Sequence, residues 1–282
     1  MLITPAKWQA KGGQKNEDFR RNIVPYMSKI VYYPVATDIF NIKEWDGITY
    51  FLSVKDSISE TKEIINISKW QNKFNNSSIR KLGESLNNSF VSILNKVRGS
   101  KNFNELSINY EIYFDCKDVS FVDDKNHTIE VLGGDSQGNM QIDGYANIDS
   151  LKHRDDVNKY KLIMHSMPGR NSTLVSDGTT YGNSEVKIIG KDAVCKDAYI
   201  VLATSDSIEE LKYILSYFNT KFIRSLTYCG CVGTNARCNE YWRFVPDPGA
   251  FDHIFTDQEL YKKYNLTDEE INIIESVIKE RK

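Results

Sequence analysis

Leu2-Ile3-Thr4-Pro5-Ala6-Lys7-Trp8, Lys11-Gly12-Gly13, Phe19-Arg20, Tyr32-Tyr33-Pro34, Asp38-Ile39-Phe40 and Gly47-Ile48-Thr49-Tyr50-Phe51-Leu52 follow one another at the start of the chain. Leu2 to Trp8 reads as a short apolar strand that ends in a Gly-containing loop. Asn16 to Met27 carries helical spacing through Phe19, Ile23 and Tyr26, and Lys29 to Tyr33 reads as a second strand. Ile48 to Val54 alternates as a third. The β-α-β-β order is that of an α/β sheet. A parallel sheet has both faces covered and several neighbours to its strands, whereas three strands and one helix leave edges open. The segment is therefore expected to complete a sheet begun elsewhere, which implies a partner.

Working outward, Ser57 to Asn75 is polar in texture. Ser77 to Val97 then shows a helical stripe at Ile79, Leu82, Leu86, Phe90, Ile93, Leu94 and Val97, expected to pack on a core. Tyr110 to Phe114, Val119 to Val122, Thr128 to Val131 and Met140 to Ile142 read as short strands separated by turn-rich sequence. Tyr160 to His165, Glu185 to Ile189 and Tyr199 to Thr204 form another strand group. Ser207 to Leu226 reads as one amphipathic helix, with Ser207 as N-cap and Glu209 and Glu210 in its first turn. Thr256-Asp257-Gln258-Glu259 and Thr267-Asp268-Glu269-Glu270 are capping-box sequences opening two final helices. The middle of the chain is thus mainly β and its end helical.

The 282 residues, 40% hydrophobic and 26% charged, have the composition of a packed globular protein. A formal net charge of −2 implies no bulk attraction to nucleic acid or to an anionic membrane. Contact with DNA would have to come from a local basic face. No apolar run approaches the ~20 residues of a membrane span, and no signal-peptide pattern is present. Five cysteines, an odd number outside a disulfide-dense scaffold, fit a reducing compartment, so the expected location is cytoplasmic.

The opening pieces resemble the last third of the catalytic domain of adenine-specific DNA methyltransferases of restriction-modification systems. Toward the other end, Thr220-Lys221-Phe222-Ile223-Arg224, Tyr241-Trp242-Arg243-Phe244-Val245-Pro246, Thr256 to Tyr264 and Leu266-Thr267-Asp268-Glu269-Glu270-Ile271 resemble the terminal signature of that family. The middle, at Tyr145 to Asp149 and Lys159 to Ile163, resembles it more loosely. The resemblance implies that residues 1–56 are the end of a Rossmann-like methyltransferase sheet. It implies that residues 57–282 are an α+β target-recognition domain with a helical C-terminus that grips double-stranded DNA. The family binds S-adenosylmethionine through a Gly-rich turn and works on a flipped adenine with an Asn/Asp-Pro-Pro-Tyr motif. Neither motif is in these residues, where Pro5 and Pro34 stand isolated. An exocyclic amine conjugated to a purine is a poor nucleophile that must be held in a reactive geometry. The expectation is therefore a chain with no catalytic residue of its own, inactive alone. Methylation would need a separate N-terminal methyltransferase half or subunit that binds most of the S-adenosylmethionine.

Two groups of residues are carried to DNA by the resemblance. Phe40 lies just before the Gly47 to Leu52 strand, where related enzymes stack an aromatic on the flipped adenine, an interaction of ~1–3 kcal/mol per base. It reads equally as a Phe closing the sheet core, and Asn41 and the single Gly47 depart from the family pattern. Lys7, Trp8, Lys11, Gly12 and Gly13 form a basic, Gly-hinged loop suited to phosphate contact, or else a solvated turn. The loops Gly133 to Asn139 and Gly169 to Asn183 read as base-edge readers or as plain exposed turns.

Other patterns point less far. Cys229, Cys231 and Cys238, with Cys195 upstream, lack the second ligand pair of a structural zinc site and read as free thiols, so no metal is expected. Asp177, Glu185 and Lys187 are residue types with which nucleases hold magnesium, in a pattern that also arises by chance. The alternative to a split methyltransferase is a non-catalytic DNA- or partner-binding protein, a specificity subunit or a decoy.

Overall fold

The computed structural model describes residues 2–9, 14–33, 47–54, 61–68, 73–81, 88–100, 112–134, 139–167, 177–231, 236–237 and 239–281. Five strands make the first sheet: β1 (Leu2–Pro5), β2 (Met27–Tyr33), β3 (Ile48–Ser53), β4 (Thr61–Ser68) and β5 (Lys73–Lys81), in the order β1-β3-β2-β4-β5. The sheet is mixed rather than parallel: β1 and β2 both pair antiparallel with β3, β4 pairs antiparallel with β5, and only β2 and β4 run parallel. It also continues past residue 56, to Lys81. β4 and the start of β5 fall in the stretch read only as polar in texture, because Lys, Glu, Asn and Ser interrupt their apolar residues, and the rest of β5 falls in the stripe read as helical.

Helix α1 (Gln14–Asn22) stops short of the expected Met27. Pro25 lies in a 3-10 turn, Val24–Tyr26; proline has no N–H to give a helix and disfavours helical backbone in the residue before it. The chain thereby enters β2 early, at a fully buried Met27. Alternation on β2 and β3 puts Ile30, Tyr32 and Phe51 on one face, where they pack with Ala6, Trp8, Val24, Met27 and Phe19 of α1.

Two further sheets lie face to face. One has the order β11-β7-β8-β6, built from β6 (Val119–Ser120), β7 (Ile129–Gly134), β8 (Met140–Ala146) and β11 (Ala193–Cys195). The other is antiparallel, with β9 (Tyr160–His165) between β10 (Val186–Ile189) and β12 (Tyr199–Ser205). Strand periodicity sends alternate side chains of β9 to opposite cores. Ile163 joins Val201, Ile129, Val131 and Val194 between the sheets, while Leu162 and Met164 join Ile200, Leu202 and the helices. The chain thus has three layers here: sheet, sheet and helices.

The helical layer comprises α2 (Val91–Val97), α3 (Ile208–Asn219), α4 (Lys221–Gly230), α5 (Asn239–Trp242), α6 (Asp257–Lys263) and α7 (Asp268–Val277). The stripe expected from Ser77 to Val97 is helical only at its end. Ile79 belongs to β5, whereas Phe90, Ile93, Leu94 and Val97 are buried at and in α2. The helix expected from Ser207 to Leu226 is two helices, because Thr220 takes an extended ψ of 144° and its hydroxyl accepts from Ile223 N–H at 3.3 Å, starting α4. Ser207 is at the N-cap of α3 but its side chain makes no capping bond. Thr267 and Glu270 form the full reciprocal capping box of α7.

Candidate nucleic-acid interface

The segment after β1 is a single 3-10 turn, Ala6–Gln9, pinned by its own side chains. Trp8 is only 4% exposed. Its ring meets Phe19 at 5.3 Å and Phe51 edge-on at 5.9 Å, and its Nε1 donates to Thr4 Oγ1 at 2.9 Å. Arg20 of α1 donates to the Trp8 carbonyl at 3.0 Å and pairs with Glu17 at 2.6 Å. Gln9 is also buried, its amide donating to Thr49 Oγ1 at 2.8 Å, and that hydroxyl donates to Val31 O at 2.7 Å.

These bonds carry a buried polar chain from the turn into β3 and β2, satisfying groups that would be costly to bury alone. Trp8 is accordingly a core residue: its indole is committed to packing, leaving only main chain for any contact with phosphate. Lys7 lies in the same turn. Lys11, Gly12, Gly13 and Phe40 fall outside the described residues, so of the expected DNA-contact set only the turn holding Lys7 and Trp8 is described.

Of the two loops expected to reach DNA bases, Gly133 and Gly134 finish β7 and Asn139 precedes β8. Asp177 to Asn183 are described, with Thr180 bridged in parallel to Ile278 next to α7. Asp177 accepts from Thr179 Oγ1 at 2.5 Å and lies 3.6 Å from Lys279, while Glu185 pairs with Lys187 at 2.9 Å. The acid and lysine of the nuclease-like pattern thus engage each other, and Asp177 is held elsewhere. Among the described residues no group of three or more His, Cys, Asp or Glu side chains could hold a metal ion. Burial pushes the Cys116 thiol up to about 11 and the Cys195 thiol up to about 12, so neither is reactive at neutral pH.

Sequence reasoning passes over a cluster of buried polar groups at Asn183, Ser184, Arg224 and Arg281. The one signal was Arg224, a charged residue inside the apolar stripe Phe222-Ile223-Arg224-Ser225-Leu226. Nothing local marks the other three. Among the described residues no helix is long and apolar enough to cross a membrane. No protein-family model matches the chain, and neither does any curated protein.

Proposed function

We propose that this chain is the DNA-recognition part of a site-specific adenine DNA methyltransferase of a restriction-modification system, acting in the cytoplasm on double-stranded DNA. Methyl transfer would take place only in company with an N-terminal catalytic half that holds S-adenosylmethionine and the Pro-Pro-Tyr motif. The residue resemblance at both ends of the chain is the starting point, and one structural observation supports it. β1 is an edge of the described first sheet, and apolar side chains on it face solvent: Leu2 and Ile3 are each 52% exposed. Sheets that end in water usually blunt their edges with charge, whereas exposed apolar side chains beside unpaired backbone invite another strand or domain. A partner half seated there would extend the sheet and bring its catalytic groups beside the turn that carries Lys7.

The test is a methyl-transfer assay with labelled S-adenosylmethionine and mixed-sequence duplex DNA. This chain is assayed alone and together with the protein encoded immediately upstream. Transfer is expected only in the mixture. Ile3→Asp should abolish that rescue while changing the chain's own stability by no more than about 0.5 kcal/mol, as for other surface substitutions. Salt-sensitive DNA binding with no transfer in the mixture would reject the methyltransferase assignment in favour of a specificity subunit or decoy. Absence of DNA binding would reject the methyltransferase assignment and the specificity subunit, leaving a decoy that binds a protein partner.

A further inference from the structure

The segment from Thr180 to Ser184 is tied at Thr180 to the end of α7 and the residues after it. Thr180 N–H donates to Val277 O and Lys279 N–H to Thr180 O, each at 2.8 Å. Arg224 reaches into this junction from α4, where its Nη1 donates to Tyr181 O at 3.1 Å and Lys279 O at 2.7 Å, and its Nε to Asn219 O at 3.0 Å. Arg281 donates through Nη2 to Asn183 O. Between them Gly182 turns with φ +86°, and a Cβ there would stand 2.3 Å from the carbonyl oxygen of Arg224, so only glycine brings this segment against α4.

Every hydrogen bond these two guanidinium groups make in the described structure goes to a main-chain carbonyl. Among the described residues the nearby acids favour the charged form of the two arginines only from a distance, and their hydrogen bonds go to other groups. Glu275 and Glu280 pair with Lys221 at 2.5 and 3.0 Å, Asp257 accepts from Phe222 N–H at 2.8 Å, and Glu185 pairs with Lys187. Burial first and Arg224 next push Arg281 down to about 10, against the pull of Glu185. Asn183 and Ser184 are 0% and 2% exposed. Yet Asn183 Nδ2 and Oδ1, Ser184 Oγ and Arg281 Nη1 are buried with no hydrogen-bond partner. Buried polar groups are nearly always satisfied, and several orphans beside two guanidinium groups mark the place of a further partner.

We infer that Asn183, Ser184 and Arg281, with Arg224 adding charge behind them, form a binding site for a phosphate-class oxyanion. Arg281 Nη1, Asn183 Nδ2 and Ser184 Oγ supply donors on three side chains, and a charged guanidinium among them favours an anionic acceptor. Asn183 Oδ1 is an acceptor, which matches the P–OH of hydrogen phosphate. Sulfate and the phosphodiesters of DNA have no such proton at neutral pH. Free phosphate and a nucleic-acid phosphate share the acceptor oxygens and are separated by that proton. The site does not rest on the methyltransferase reading, and failure of methyl transfer leaves it standing.

The experiment is urea unfolding of the full chain in low-millimolar phosphate, sulfate or chloride at matched ionic strength, with duplex-DNA binding measured in the same buffers. A ligand that binds only the native state raises the unfolding midpoint with the logarithm of its concentration. Phosphate should raise the midpoint above chloride. A larger effect than that of sulfate identifies free hydrogen phosphate as the ligand, whereas equal effects with loss of DNA binding identify a phosphodiester. Ser184→Ala should weaken the phosphate response severalfold. Asn183→Asp, which installs a carboxylate beside Arg281, should raise the midpoint without phosphate and abolish the response. A wild-type midpoint indifferent to phosphate, or an Asn183→Asp chain less stable than wild type, would overturn the site.

Discussion

Lys161 is a charge placed where none is expected, fully buried on β9 between two sheets. Its Nζ donates to Val157 O and, at 3.4 Å, to Gly190 O, and it lies 5.8 Å from the centre of the Phe114 ring. Burial pushes the ammonium down to about 8, against the pull of Asp192. Between about 8 and the ordinary 10.5 the unfolded chain keeps a proton that the native chain has released, so this group makes native stability rise with pH across that window. Subtracting the urea midpoints of Lys161→Met from those of wild type cancels the buried thiols and tyrosines, which titrate in both proteins. The difference should grow in favour of wild type from the lower to the upper end of the window; superimposable profiles would show that the native amine keeps an ordinary affinity for its proton. Trp8 makes the complementary point. Its bulk and apolar neighbours predict that Trp8→Ala costs about 3–5 kcal/mol in denaturant unfolding, a core penalty that a solvent-facing DNA contact would not produce. Sequence could place Trp8 after a strand but not decide which way the ring points. That was settled by Phe19 and Phe51, one of them far along the chain.

Among the elements, those whose local pattern and tertiary fate agree were legible. β9 runs from Tyr160 to His165 as its β-branched and apolar residues predict, and Thr267 with Glu270 starts α7 as a capping box. Short or polar strands were not. β11 is three buried residues, Ala193 to Cys195, held by parallel pairing to β7, a partner remote in sequence. The break at Thr220 was hidden because the apolar periodicity runs through it, and one threonine ψ angle separates α3 from α4. Removing the capping hydroxyl by Thr220→Ala is expected to lower stability by about 1 kcal/mol, read from chemical denaturation. At α7 the capping carboxylate has a second task. Glu270 accepts from Lys96 Nζ of α2 at 2.6 Å as well as from Thr267 N–H at 2.8 Å. Burial raises the affinity of this carboxyl for a proton, but the hydrogen bonds from Lys96 and Thr267 outweigh it and hold the group below its ordinary value. Its stabilisation is therefore present above the carboxylate range and is lost as pH falls through the lowered native value. Glu270→Gln should be less stable than wild type at neutral pH and should lose less stability than wild type on acidification. An unchanged acid limb would remove the Lys96 link as a contributor.

At the scale of the molecule, the β10-β9-β12 sheet is enclosed between a second sheet and the helices, and β9 has a hydrogen-bonded neighbour on each side. Strands of this kind open only with global unfolding. Amides of Lys161 to Met164 are expected to exchange with solvent more slowly than those of β1 at the open edge of the first sheet, as read by native-state hydrogen exchange. Equal rates would mean that the sandwich opens as readily as the edge. Because β9 serves two cores with alternate residues, it tolerates changes of identity far better than changes of length. A substitution at Leu162 reaches the helical core and one at Ile163 the inter-sheet core, so each can be compensated by its own neighbours. A single inserted or deleted residue would send both sets to the wrong side at once. β12 has taken up such an extra residue in a bulge between Val201 and Ala203, at a rim of the sheet and not in its middle strand. Descendants of this chain should therefore vary freely in the composition of β9 while its count of residues stays fixed, with gains and losses of length confined to the strands on either side.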